Sequence, residues 1–378
     1  MYLAREEEGR LAKMLGWREA VALIGPRRVG KTTLALRMLE MWKEKGGKGT
    51  YFDLESLGAP STPAGLAKEI NGIPAGGMVV LDEIQALEGW VKVVRQEAER
   101  KERRVLITGS SASLLSKEIA SSLGGRAVPE TVLALSFRDA KKWGVRSLRD
   151  YLEVGGYPEC VLRPYDAPRL HKLYLELTVL RDVAARKGVR EIKPLSDLAL
   201  LLLSEPGKTI SAKKTAYRLG ISQPTFRSFV EALNDAYLVL SVPPYLRSPR
   251  ERIVSDAKHY AYDTGLQKSV SISAQEDEGR RLENVVAIEF VRRGYSLSYF
   301  KGEEGECDFI AQKTGSETLA VQVWVGSGEI PEREWKGLES GMKVARAKGL
   351  VLSANKTDER RRNVETKAVE DWLLEPAL

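Results

Sequence analysis

Lys31, Thr32, Asp82 and Glu83 are the residues of this chain whose types and neighbours suit phosphate chemistry. Lys31 and Thr32 end the run Gly25-Pro26-Arg27-Arg28-Val29-Gly30-Lys31-Thr32, and Thr33 follows it. Glycine at both ends lets the backbone curl until several N–H groups face one anion. A helix starting there adds partial positive charge. In such a loop the lysine reaches the β- and γ-phosphates and the threonine hydroxyl meets Mg²⁺. Residues 25–33 are therefore the expected nucleotide-binding segment, with ATP and Mg²⁺ as ligands.

Asp82 and Glu83 close an apolar run, Met78-Val79-Val80-Leu81. Asp82 is expected to hold Mg²⁺ with Thr32, directly or through water. Glu83 is expected to orient and deprotonate the attacking water. Water is a poor nucleophile and attack on a phosphoryl group is in line, so positioning supplies most of the catalysis. The competing reading makes the pair a cap for the helix starting Ile84-Gln85-Ala86-Leu87. A phosphate loop earlier in the same chain weighs against it.

These residues need rigid elements behind them. Ala20-Val21-Ala22-Leu23-Ile24 reads as a buried parallel strand, and Leu34 to Leu39 has helical spacing. Val105-Leu106-Ile107-Thr108 reads as another strand, running into Gly109-Ser110-Ser111. Ser110 is the candidate sensor of the γ-phosphate or the attacking water; the alternative is a cap for the helix that follows. Tyr51 to Glu55 reads as one more strand, and Asp53 and Glu55 end it near the site or form a turn. Gly124-Gly125-Arg126 offers an arginine that can reach a phosphate of its own or a neighbouring subunit, a role worth ~10³–10⁵ in rate. The alternative is an ordinary surface arginine. Strand-loop-helix alternation to about residue 140 implies an α/β fold with a doubly wound parallel sheet and ATP at the strands' C-terminal ends.

The phosphate-loop run resembles a large group of prokaryotic AAA-type P-loop ATPases. So do Leu81-Asp82-Glu83-Ile84-Gln85, Thr108-Gly109-Ser110-Ser111, Gly125-Arg126 and Leu135-Ser136-Phe137-Arg138-Asp139. Further matches, in order, are Gly155-Gly156-Tyr157-Pro158-Glu159, Lys258 to Leu266, Leu282-Glu283-Asn284 and Glu306-Cys307-Asp308-Phe309. The usual proline before Leu-Ser-Phe is Ala134 here. The resemblance covers nearly the whole chain. It implies an AAA-type ATPase core (1–150), a helical connector (151–192), a winged-helix module (193–268) and a C-terminal α/β domain of restriction-endonuclease type (275–378).

The middle of the chain supports part of this independently. Tyr174, Leu177, Leu180, Val183 and Ala184 recur at helical spacing, and Pro194 is expected to break the pattern. Leu195 to Leu203 is one apolar helix. Ser211 to Leu219 and Gln223 to Leu233 are two more, joined by the turn Gly220-Ile221-Ser222. Ser222 can cap the last helix, and Pro224 suits its first turn. This is a helix-turn-helix pattern, with Tyr237 to Val242 and Tyr260 to Tyr262 as strands of a wing. Gln223, Thr225, Arg227 and Ser228 would face a groove of DNA, while Lys213, Lys214, Arg218 and Arg227 would meet phosphates. Such a module can equally serve as a structural lid beside the nucleotide.

In the endonuclease-type fold that the resemblance implies, an acid on one strand and Glu-x-Lys on the next bind Mg²⁺ and activate water. The acid is Asp308, with Glu283 on the preceding helix, but the next strand carries Gln322-Val323-Trp324. Gln322 has no charge for a metal and Trp324 no amine, so nuclease activity is not expected, while Glu283, Glu306 and Asp308 remain able to hold a metal weakly. The tail's lysines and arginines suit a nucleic-acid clamp or a surface joining protomers.

The chain has 378 residues and a net charge of +7, which favours polyanionic partners. Two cysteines and two histidines cannot build a zinc cluster. No apolar run approaches the ~20 residues of a membrane span, and no secretory pattern is visible, so a cytoplasmic protein without membrane contact is expected. The combined reading is Mg²⁺-dependent ATP hydrolysis driving conformational change on DNA, in a homo-oligomer if Arg126 acts between subunits. The rival is a nucleotide-dependent switch that recruits a protein partner, with winged helix and tail structural. An active ATP-regulated nuclease is a third reading, against which Gln322 and Trp324 stand.

Overall fold

The computed structural model describes the chain except for residues 1, 2, 110–122, 247, 249, 252–254, 271–277, 327, 357, 358, 360, 377 and 378. The chain packs as two compact units. The first comprises residues 1–133 and 235–237, the second 134–234 and 238–378.

The first unit is built on five parallel strands in the order β2-β3-β4-β1-β5. They are β1 (Ala20–Ile24), β2 (Gly49–Asp53), β3 (Met78–Asp82), β4 (Arg104–Gly109) and β5 (Ala127–Thr131). β1 and β3 are buried along their whole length, because helices cover both faces of the sheet and leave no polar side. Leu66, Ile70, Val93 and Val94 from helices Pro63–Asn71 and Trp90–Arg100 pack with Ala22, Val79 and Ile107. Helix Lys31–Glu44 buries Leu34, Ala35 and Met38. Pro129 lies in β5, an edge strand, where its missing N–H costs no central ladder bond. β2 starts two residues earlier than the pattern suggested and stops at Asp53, whose carboxylate accepts the Glu55 N–H at 3.0 Å and turns the chain. Ile84–Ala86 is a single 3₁₀ turn rather than the start of a helix.

In the second unit, Pro194 does not break a helix. It stands in the first turn of helix Ile192–Ser204, where a missing N–H is harmless. Helices Ala212–Arg218 and Gln223–Asp235 follow; Ser211 and Ser222 accept the N–H of Lys214 and Thr225. β6 (Val239–Val242) and β7 (Lys258–Ala261) pair antiparallel as a two-stranded ribbon. The rest is a five-stranded mixed sheet in the order β12-β11-β10-β9-β8. Its strands are β8 (Ser296–Lys301), β9 (Glu306–Gln312), β10 (Leu319–Trp324), β11 (Lys348–Ser353) and β12 (Val364–Ala368). Val285, Val286 and Phe290 of helix Glu278–Arg292 cover one face with Phe309 and Val321. Trp335 and Leu338 of helix Glu332–Ala345 cover the other with Ile310 and Ala320. Among the described residues no helix is long and apolar enough to cross a membrane.

Candidate functional site

The loop between β1 and helix Lys31–Glu44 is fixed by its backbone. A Cβ at Gly25 would stand 2.0 Å from the Val132 carbonyl oxygen, and its φ is +149°, so only glycine fits. Gly30 caps the helix at φ +91°, and Arg28 takes the left-handed region at φ +66°. Gly25, Pro26 and Val29 are buried, Arg27 and Gly30 half-buried, and Arg28 and Thr33 exposed. Lys31 is buried, and its ammonium donates to the carbonyls of Gly25 (3.0 Å) and Pro26 (2.7 Å). It is thereby held over the mouth of the loop. Arg5 braces the loop from below. It is paired with Glu7 at 3.0 Å and donates to the Val29 carbonyl at 2.5 Å and to that of Leu133 at 2.9 Å.

The two expected metal-binding residues are in contact. The Thr32 hydroxyl donates to both oxygens of Asp82, at 3.1 and 2.9 Å. Asp82 is buried at the end of β3. Tyr51 from β2 donates to Oδ2 at 2.8 Å, and Thr108 from β4 donates to Oδ1. Burial, and then the bond to Asp82, pushes the Tyr51 phenol up, so it remains a donor. A buried carboxylate and a hydroxyl, both hard oxygen donors, suit Mg²⁺.

Glu83 is half-buried with φ +47° and ψ +52°, a left-handed conformation rarely adopted by a non-glycine residue. Such strain persists where the surroundings over-determine it. Here Thr108 accepts the Glu83 N–H at 3.0 Å, and the Gln85 amide donates to the Glu83 carboxylate. Thr108 therefore holds the backbone of the turn, and Gln85 holds the Glu83 carboxylate.

Ser110 lies outside the described residues. Arg126 is not at its own phosphate loop. Its carbonyl accepts the Ala20 N–H, at the end of β1 opposite the loop. Five residues of strand, about 16 Å at ~3.3 Å each, separate the two ends. Its guanidinium pairs with Glu99 at 3.1 Å and is 37% exposed. Within this unit the own-subunit role is therefore out of reach.

On the helix-turn-helix, Lys213, Lys214, Gln223 and Arg227 are exposed and Thr225 is half-buried, its N–H capped by Ser222. Arg218 is exposed too, and Tyr217 is 87% exposed. Lys214, Tyr217 and Arg218 fall on one stripe of their helix by the i, i+3, i+4 rule.

In the tail, the structure gathers Glu283 and Asp308 around a residue not singled out for the site, Lys258 of β7. Its ammonium lies 3.4 Å from Glu283, 2.5 Å from Glu306 and 3.9 Å from Asp308. Asp308 also accepts the Val323 N–H at 2.8 Å. Gln322 is buried and donates to Glu334 at 2.7 Å, away from the lysine's partners. Trp324 packs beside Gly326, where a Cβ would touch its ring at 2.1 Å.

Thr108, Tyr51, Arg5, Tyr217 and Lys258 were absent from the site expected from sequence. Thr108 carried a readable signal, a hydroxyl ending a strand beside the acid-tipped one. The others depend on which strands and helices are neighbours in space.

Residues 18–141 match a family described as AAA domain, and residues 145–276 match a domain of unknown function, DUF8612. An uncharacterized protein of Haemophilus influenzae is 31% identical over 317 residues, covering 78% of this chain and 77% of its own length. An uncharacterized protein of Methanocaldococcus jannaschii is 32% identical over 290 residues, covering 69% of this chain; the chain spans 64% of that relative. Among solved structures, AMPPCP-bound DnaA from Aquifex aeolicus is similar at a TM-score of 0.32 and 12% identity, over 62% of this chain and 89% of that one.

Proposed function

We propose that this chain, which belongs to one family with the Haemophilus influenzae protein and carries an AAA domain at residues 18–141, hydrolyses ATP with Mg²⁺ and couples the cycle to work on DNA. The observation that carries the ATPase reading is the contact of Thr32 with Asp82 beside Lys31 and Glu83, at the C-terminal ends of β1 and β3. Lys31 grips the β- and γ-phosphates, and backbone N–H groups of the loop cradle them. Thr32 and Asp82 would hold Mg²⁺, which would supply neutralising charge for the phosphates. Glu83 accepts the proton of the attacking water. Gln85 restrains that carboxylate, so its release is the step that arms the base. Thr108 keeps the acid and the base in register.

The DNA reading is supported by the exposed cations of the helix-turn-helix. Lys213, Lys214, Arg218 and Arg227 have no ion-pair partner among the described residues, whereas Arg5, Arg37, Arg95, Arg103 and Arg126 of the first unit are each paired with an acid. Unpaired cations on two neighbouring helices are free to replace counterions on a phosphate backbone. Tyr217 beside them offers a face on which an unpaired base stacks. The rival reading, a switch that recruits a protein partner, is favoured by one observation. A cavity of about 710 Å³ with exposed Leu180 and Leu200 at its rim lies between helices of the second unit.

The test is the steady-state ATPase rate of wild type and Lys31→Ala, without DNA and with single-stranded, duplex and branched DNA, at two salt concentrations. Stimulation by one DNA form that fades with salt supports the coupled reading. Lys31-dependent turnover indifferent to every DNA overturns the coupling and favours the switch. Turnover that survives Lys31→Ala overturns the ATPase assignment.

A further inference from the structure

The acid cluster of the tail already contains a cation, and the chain supplies it. Lys258 projects from β7 with only 4% of its side chain exposed, and its ammonium meets Glu306, Glu283 and Asp308 at 2.5, 3.4 and 3.9 Å. Tyr260, on the same face of β7 by the two-residue repeat of a strand, donates its hydroxyl to Glu283. The Lys258 ammonium also lies 5.6 Å from the centre of the Tyr299 ring. Burying a lone ammonium is costly. Here three carboxyl groups stand within 4 Å of the ammonium and compensate it.

A metal-dependent endonuclease-type site needs a divalent ion among the acids and a separate amine beside them. Neither requirement is met. The amine sits among the acids, Gln322 is engaged with Glu334, and residue 324, which the resemblance makes the counterpart of the Glu-x-Lys lysine, is a tryptophan. A divalent ion therefore does not fit the residues present.

We propose that Lys258 is the tail's resident cation: its ammonium stands in for the divalent ion of a hydrolytic site, leaving a metal-free, non-hydrolytic module tied to the ribbon strand β7. The proposal rests on reading the tail as endonuclease-type and is independent of the ATPase.

The test uses the full chain with Mn²⁺ as probe, read by the paramagnetic resonance of free Mn²⁺ and by the unfolding midpoint with and without EDTA. Wild type is expected to show no Mn²⁺ site sensitive to Glu283→Gln, no midpoint change with EDTA, and no DNA cleavage. Lys258→Met is expected to lower the midpoint by several degrees and to gain a Mn²⁺ site that Glu283→Gln removes. Lys258→Arg, which keeps a cation, is expected to fold without metal and gain no site. A Glu283-dependent Mn²⁺ site in wild type, or Asp308-dependent cleavage, overturns the proposal. So does Lys258→Met as stable as wild type without Mn²⁺. If Lys258→Met does not fold, Lys258→Arg decides: folding without metal supports the stand-in, and failure to fold overturns it.

Discussion

The hydroxyl of Thr108 donates to the carboxylate of Asp82, and its oxygen accepts the backbone N–H of Glu83 at 3.0 Å. One side chain from β4 thus fixes both members of the acid pair, and it does so because β4 lies between β1 and β3. Removing it should disturb metal and base together. Thr108→Val is expected to lower kcat by about 10- to 100-fold, the effect of ~1–3 kcal/mol for a lost buried hydrogen bond. Thr108→Ser should recover most of the rate. Wild-type kcat in Thr108→Val would sink this role.

Glu83→Gln should separate binding from chemistry. The glutamine keeps the shape but cannot take a proton, so ATP affinity is expected within a few-fold of wild type while hydrolysis falls by at least ~100-fold. Nucleotide binding by fluorescence alongside phosphate release checks this. Equal losses in both would mean that Glu83 supports the loop rather than the water.

Arg126 lies at the end of β1 away from its own phosphate loop, so a phosphate within its reach would have to come from another subunit. Mixing Lys31→Ala chains, which cannot grip ATP, with Arg126→Ala chains, which lack the finger, is expected to restore part of the activity, since an arginine in trans contributes on the order of 10³ in rate. No rescue at any mixing ratio would reduce Arg126 to its pair with Glu99.

The unpaired stripe on the helix-turn-helix yields a graded expectation for DNA binding. Lys214→Ala should reduce the slope of log affinity against log salt by about 1. Tyr217→Ala should weaken single-stranded DNA by ~1–3 kcal/mol while changing the salt slope little. Equal loss on duplex and single strand would rule out stacking by Tyr217.

His259 gives the second unit a defined acid sensitivity. It is buried, bonded to Ser241 at 3.0 Å, and burial pushes its imidazole down to about 4 against a small opposing pull from Asp256. Its folded value lies below the unfolded 6.5, so the unfolded chain takes the proton first. The stability it contributes is complete above pH 6.5 and is lost as pH falls towards 4, about 3 kcal/mol in all. His171, also lowered by burial, acts in the same direction. Denaturant unfolding of wild type and His259→Gln at pH 7.5 and 4.5 checks this. The variant should lose less stability on acidification, and identical losses would contradict the assignment.

Much of the first unit was legible because its signals are local. The phosphate loop is contiguous backbone, so Gly25, Gly30, Lys31 and Thr32 announce it without knowledge of the fold. A strand buried on both faces is apolar at every position, which marked β1 and β3 and with them a parallel sheet. Asp82 and Glu83 were readable because they end such a run. Local signals alone therefore carried the phosphate-loop pattern, its acid pair and the kind of sheet beneath them. Tertiary structure alone decided which strands are neighbours. That order brings Tyr51 and Thr108 to Asp82 and sets Arg126 at the far end of β1, and in the second unit the packing of the β6-β7 ribbon delivers Lys258 into the acids of the tail. The physical reason is one of range. Periodicity reports the faces of an element, but contacts between residues distant in sequence follow from how crossovers order the strands, and no local pattern encodes that order.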